Sequence, residues 1–206
     1  MTPDAVVSLF ARRDGSYLCA RWGRPIVPVV FGVDAATLSV VKGAIEAVVV
    51  LAGHKMAETD PELAANLMVF FCRDWAELPE VPNLEKLVPD LGPLCARLEA
   101  VGANQYRGFR FDEQGAIKAA FVFLRMDEAL AAMPAADLAL AQAAQVILLW
   151  SDQAFTGTSP LALVGEDVIL RPEIAGVIRA AYGVAMPMVA RDASHALRIA
   201  ARITDA

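Results

Sequence analysis

Histidine and cysteine are scarce in this chain, and their scarcity removes whole classes of chemistry. Among 206 residues there are two histidines, His54 and His195, and three cysteines, Cys19, Cys72 and Cys95. Two histidines cannot build a three-histidine zinc site, and a His/His/carboxylate site would need both from distant helices. The cysteines form no C-x-x-C pair, so they read as isolated thiols in apolar surroundings, and the expected setting is the cytoplasm. No metal and no other cofactor is expected.

Positive charge is also short. Eighteen Lys and Arg face 24 Asp and Glu, a formal net charge of −6 with no basic run, which argues against a nucleic-acid binder that must neutralise phosphates. Long apolar runs are missing as well. A spanning helix needs roughly 20 largely apolar residues. The stretch from Ala35 to Gly53 is broken by Lys42 and Glu46, and the one from Ala135 to Trp150 by Asp137, Gln142 and Gln145. Thr2-Pro3-Asp4 lacks the basic start of a signal peptide, and the apolar run after it is short. The chain has no Walker-type glycine loop, no G-x-G-x-x-G, no G-x-S-x-G elbow and no kinase motif set.

What is present is apolar residue content, 57 %, enough to bury a core over a single domain spanning 1–206. Pro3 to Ala11 reads as a short helix. Ile26 to Gly32 reads as a strand, and Pro28 within it, lacking an amide donor, points to a sheet edge or a bulge. Asp34 caps a long helix from Ala35 to about Ala57, with Lys42 and Glu46 on its solvated side. Asn66 to Cys72 is apolar enough for a central strand. Prolines 79, 82, 89 and 93 keep any helix between Asn83 and Val88 short, and a further helix runs from Leu94 to Val101.

The clearest local signal is a hairpin. Arg107, Phe109 and Phe111 alternate with Tyr106, Gly108 and Arg110, Asp112-Glu113-Gln114-Gly115 turns the chain, and Ala116 to Leu124 returns. On the return strand Ile117, Ala119, Phe121 and Phe123 share one face. Pro134 then opens a central buried helix, Ala135 to Trp150, followed by a loop from Ser151 to Asp167. Two more helices, from Arg171 to Tyr182 and from about Ala190 to Ile203, close the chain. This order predicts an α+β fold: a small mixed or antiparallel sheet with a hairpin, packed against long helices.

Three segments, in order, resemble a bacterial family of unknown function with the layout of zincin-like metallopeptidases. Ala20-Arg21-Trp22-Gly23-Arg24-Pro25 is similar to an R-W-x-x-P segment leading into the first strand of that family. Gln145 to Asp152 (QVILLWSD) is similar to its Q-x-L-G-L-x-N-D at the end of the central helix. Ile178 to Tyr182, with Met186-Pro187-Met188, resembles its L-x-x-L-Y and following G-M. The resemblance implies that Ala141 to Gln145 stands where a zinc hydrolase carries H-E-x-x-H. Ala141 cannot bind metal, Gln142 cannot act as a base, and Gln145 is a poor ligand, so a scaffold without hydrolytic chemistry is implied.

The leading expectation is thus a non-catalytic binding or accessory protein on a degenerate zincin-like framework. Its ligand-binding candidates are Gln142, Gln145, Trp150, Ser151 and Asp152, with no catalytic residue. Two alternatives are a hydrolase using His54 or His195 with carboxylates, and a structural, self-associating subunit. The partner would be a small molecule, a peptide or a protein, a second copy of the chain included.

Overall fold

The computed structural model describes residues 1–204; positions 205 and 206, the end of the expected domain, lie outside the described residues. Helix α1 (Pro3–Phe10) begins with Pro3 in its first turn, and the Thr2 hydroxyl accepts the Ala5 amide. A short strand β1 (Cys19–Ala20) precedes β2 (Pro28–Phe31), which leads into α2 (Ala35–Leu51). Asp34 caps α2 as expected, its Oδ1 accepting the Thr37 amide at 2.7 Å.

Helix α2 stops at Leu51, well short of Ala57. Gly53 adopts φ +65°, its amide donates to Val50 O, and the His54 amide donates to Val49 O. That is a Schellman ending, in which a left-handed glycine closes the last turn. His54 therefore lies beyond the helix, not late on it.

Strand β3 (Leu67–Cys72) is followed by a 3-10 helix, Trp75–Glu80, then α3 (Leu84–Leu87) and α4 (Leu91–Ala100), which starts ahead of Pro93 rather than after it. Strands β4 (Gln105–Phe111) and β5 (Ile117–Arg125) form the expected hairpin, its turn held by Asp112 Oδ1 accepting the Gln114 and Ala116 amides. The main sheet has the order β2-β3-β5-β4. Its first three strands run parallel and β4 runs antiparallel on the outer edge, which makes the sheet mixed and the fold α+β. Pro28 opens the other edge strand, where its missing amide leaves no ladder bond unmade.

Strand alternation sends side chains to two cores. Leu67, Val69, Ala120, Val122 and Leu124 pack with α2 and the central helix, α6 (Ala135–Val146). Met68, Phe70, Phe121 and Phe123 pack with the 3-10 helix and α4. Each of these Val, Leu, Met and Phe side chains, once fully buried, stabilises the fold by about 1.5–3 kcal/mol. Ile117 joins the α6 side, not the Phe121/Phe123 face that simple alternation assigns it. The reason is a bulge: Arg110 pairs with Ala119 but Phe111 pairs with Ile117, so Lys118 drops out of register.

After β5 come α5 (Glu128–Ala131) and α6, which ends at Val146 and not at Trp150. The expected loop from Ser151 to Asp167 gives way to a second hairpin, β6 (Leu161–Val164) and β7 (Asp167–Leu170), which leaves Leu163, Val164 and Ile169 exposed. Helix α7 (Pro172–Ala181), strand β8 (Val189–Ala190), paired with β1, and helix α8 (Ser194–Thr204) complete the described chain. Among the described residues, no helix is long and apolar enough to cross a membrane.

Candidate functional site

The end of α6 positions everything nearby. A helix leaves its last carbonyls without intrahelical partners, and a buried end must satisfy them some other way. Here aromatic side chains do it. Trp150 Nε1 folds back to Ala144 O at 2.9 Å, Trp22 Nε1 donates to Val146 O at 2.9 Å, and the Tyr182 hydroxyl donates to Ile147 O at 2.8 Å. The Tyr182 oxygen also accepts the Trp22 amide, and the Leu149 amide donates to Ala20 O. With its carbonyls taken from the side, the chain leaves helical geometry after Val146 and runs against β1.

Arginines complete the joint. Arg21 donates to Ala181 O and Met186 O at the end of α7, and its guanidinium lies 5.4 Å from the centre of the Tyr182 ring. Arg12 donates to the carbonyls of Trp150, Leu18 and Leu149. The segments around Arg21-Trp22, Gln145–Asp152 and Tyr182–Met188 thus meet in one place, where their polar groups hold backbone ends together.

Beside this joint lies a recess of about 320 Å³ between β4 and the chain leaving α6. Gln145, Trp150, Ser151 and Asp152 line it, together with Arg107 and Phe155 among others. Four of the five candidate residues are therefore brought together. Gln142 lies behind them, 6 % exposed, and reaches the recess only through Arg107.

That contact is the most informative one. Arg107 projects from the edge strand toward α6, and its Nη1 donates to Gln142 Oε1 at 2.8 Å and to Gln105 Oε1 at 3.3 Å. Gln142 Nε2 closes the triangle on Gln105 Oε1 at 2.8 Å. The guanidinium has no acceptor atom, so both amides must turn oxygen toward it. Among the described residues, no carboxylate pairs with Arg107, and neither its Nη2 nor its Nε makes a hydrogen bond. Burial lowers its pKa to about 10, with no neighbouring charge offsetting the desolvation; it stays cationic at neutral pH.

The other candidates differ in how far they are used. Trp150 is a wall: buried, stacked on Phe10 at 5.2 Å and met edge-on by Phe155 at 5.2 Å. Ser151 is spent on structure, its hydroxyl donating to Ala11 O and accepting the Gln153 amide. Gln145 Nε2 bonds back to Ala141 O in its own helix, leaving Oε1 without a partner among the described residues. Asp152 is exposed and makes no hydrogen bond or ion pair among the described residues, although its charge acts on Arg12.

The two histidines sit apart from the recess and from carboxylates. His54 Nε2 lies 2.9 Å from Arg24 O, its ring against Tyr182. His195 is 4 % exposed, with Nδ1 2.8 Å from the Tyr17 hydroxyl; burial, aided by Arg198 and Arg21, lowers its pKa to about 4. Asp192, three residues before it, accepts the Ser194 amide instead. All three thiols are free and buried, and burial raises each one's pKa, Cys19 to about 12 and Cys72 to about 11. Such thiols are poor nucleophiles. Among the described residues, no three His, Cys, Asp or Glu side chains group as metal ligands.

Two larger recesses lack a comparable group. One of about 410 Å³ lies between α7 and α8, with Arg179 exposed to solvent, Glu173 paired with Arg171, and Arg202, among the described residues, bonded only to Arg198 O within its own helix, with no side chain holding it. The other, about 370 Å³, lies at the ends of β2 and β3, and its one charged residue, Asp34, is the α2 cap.

Arg107, Gln105 and Phe155 are absent from the sequence-derived site. One signal marked Arg107: it shares a strand face with Phe109 and Phe111. No protein-family model, curated protein or solved structure matches this chain.

Proposed function

We propose that the protein is a non-catalytic binding protein whose recess between β4 and the chain leaving α6 takes a small organic anion. The observation that carries this reading is the free edge of the Arg107 guanidinium. Burying part of a cation without a counter-ion costs stability, and two glutamines hold it in place without neutralising it. A carboxylate presented to that edge would form the charge-assisted pair that the fold leaves unmade. The recess volume lies at the small end of ligand pockets, which limits the guest to a small molecule.

The zincin-like descent implied by the three segments belongs to this proposal. On that descent, Gln142 has moved from the catalytic glutamate position to the support of Arg107, and no hydrolytic centre remains. A cytoplasmic setting belongs to it too, supported by three unpaired thiols.

The test is calorimetric titration with a panel of small carboxylic acids, on wild type and on Arg107→Met. At least one acid should bind wild type and lose about 10- to 100-fold in affinity in the variant, the cost of one hydrogen-bonded charge. An inward-facing arginine also guards an edge strand against pairing with other chains. If every acid binds both proteins alike, or none binds, that protective role is all that Arg107 has.

A further inference from the structure

The same recess carries a second unmatched charge, of opposite sign. Asp152 lines it opposite the β4 residues, exposed and without a hydrogen bond or ion pair among the described residues. Arg12, on which its charge acts, has both its Nη atoms committed to the carbonyls of Leu18, Leu149 and Trp150. Gln145 offers a further free acceptor, Oε1, on the same wall. Trp150, Phe155, Tyr106 and Phe109 add aromatic surface to the lining of the recess.

We infer that the ligand is a zwitterion, an α-amino acid with an apolar side chain, its carboxylate on Arg107 and its ammonium facing Asp152 and Gln145. This rests on the anion-binding reading of the recess and narrows it. An ammonium has three donors and no acceptor, so a carboxylate beside an amide oxygen suits it. Asp152 does a second job: it repels a ligand of net negative charge, so phosphate esters and dicarboxylates are disfavoured at the step where Arg107 alone would accept them. The aromatic walls then select for an apolar side chain, since a polar one would lose hydration without finding partners.

The experiment compares three ligands, L-phenylalanine, hydrocinnamate (no ammonium) and phenethylamine (no carboxylate), by titration calorimetry. Wild type, Arg107→Met, Arg107→Lys and Asp152→Asn are used, each first checked for a native melting curve. L-phenylalanine should bind wild type about 10- to 100-fold more tightly than either analogue. In Asp152→Asn, hydrocinnamate should bind as well as L-phenylalanine does. Arg107→Lys keeps the charge but not the fork, and should recover only part of the affinity. If hydrocinnamate matches L-phenylalanine on wild type and Asp152→Asn changes nothing, the zwitterion is wrong while the anion site stands. If no ligand with a carboxylate binds, or binding ignores both Arg107 variants, both fail together.

Discussion

Around Trp22, the carbonyls at the end of α6 are taken by side chains of the protein, and of the arginines there only Arg12 Nε stays buried without a partner among the described residues; around Arg107, half of a guanidinium is left open to the recess. The two regions adjoin on the same stretch of chain, Gln145 to Asp152. In the first, indole and phenol groups cap carbonyls that a helix end exposes, and arginines tie neighbouring ends to them. In the second, Gln105 and Gln142 orient a guanidinium and then stop short of neutralising it. Filled carbonyls at the first region mark what the fold needs, whereas the unfilled N–H groups of Arg107 open onto the recess, where a ligand can reach them.

The contrast breaks first at Trp22. It is 1 % exposed, and Trp22→Ala should cost about 3–5 kcal/mol through the cavity it leaves, measured by urea unfolding. A loss below about 1 kcal/mol would mean the joint around it is not structural.

Tyr182→Phe is milder, because the ring stays. It strips the hydroxyl from between the Trp22 amide and Ile147 O and should cost about 1–3 kcal/mol. An unchanged midpoint would show that both groups find other partners.

The pH dependence sharpens the same side. His195 is held neutral, with a pKa near 4 against an ordinary 6.5, so the unfolded chain takes up a proton that the folded chain refuses. Its stabilising effect is complete above pH 6.5 and declines as pH falls toward 4, at no more than about 1.4 kcal/mol per pH unit. His54, lowered mainly by burial, acts in the same direction. The lowered carboxylates Asp34, Asp127 and Asp192 lose their stabilising effect at still lower pH, below their ordinary value of 3.8. A His195→Asn variant should show a flatter profile between pH 6.5 and 4; equal slopes would refute a neutral buried His195.

The smallest stability change belongs to Arg107. Arg107→Met removes a partly buried, uncompensated charge but leaves Gln142 Oε1 without its donor; the two effects oppose each other and should leave stability within about 1 kcal/mol of wild type. Ligand binding should nevertheless be lost. A large destabilisation would place Arg107 with Trp22, among the groups the fold requires.

Local features were readable from the chain. Pro28 marked an edge strand, Asp34 a helix start, Asp112–Gly115 a hairpin turn, and the mixed helix and strand order an α+β fold. The end of α6 was not, because its carbonyls are taken by Trp22 and Tyr182, residues that only the folded chain brings there. Gly53, four residues after Val49, the last buried aliphatic residue of its helix, carried a stop signal that periodicity alone passed over. Half of the recess was legible as Gln145 to Asp152. The other half comes from β4, and an arginine in a hairpin reads as solvent-facing until the helix that covers it is known.

Arg107 itself gives the most direct test. In a protein carrying 15N-labelled arginine, the Arg107 Nε–Hε signal, assigned through Arg107→Met, should move downfield and sharpen as L-phenylalanine saturates the recess. A signal that stays in place through saturating additions of the amino acid and of hydrocinnamate would contradict the view that this guanidinium is held open for a ligand.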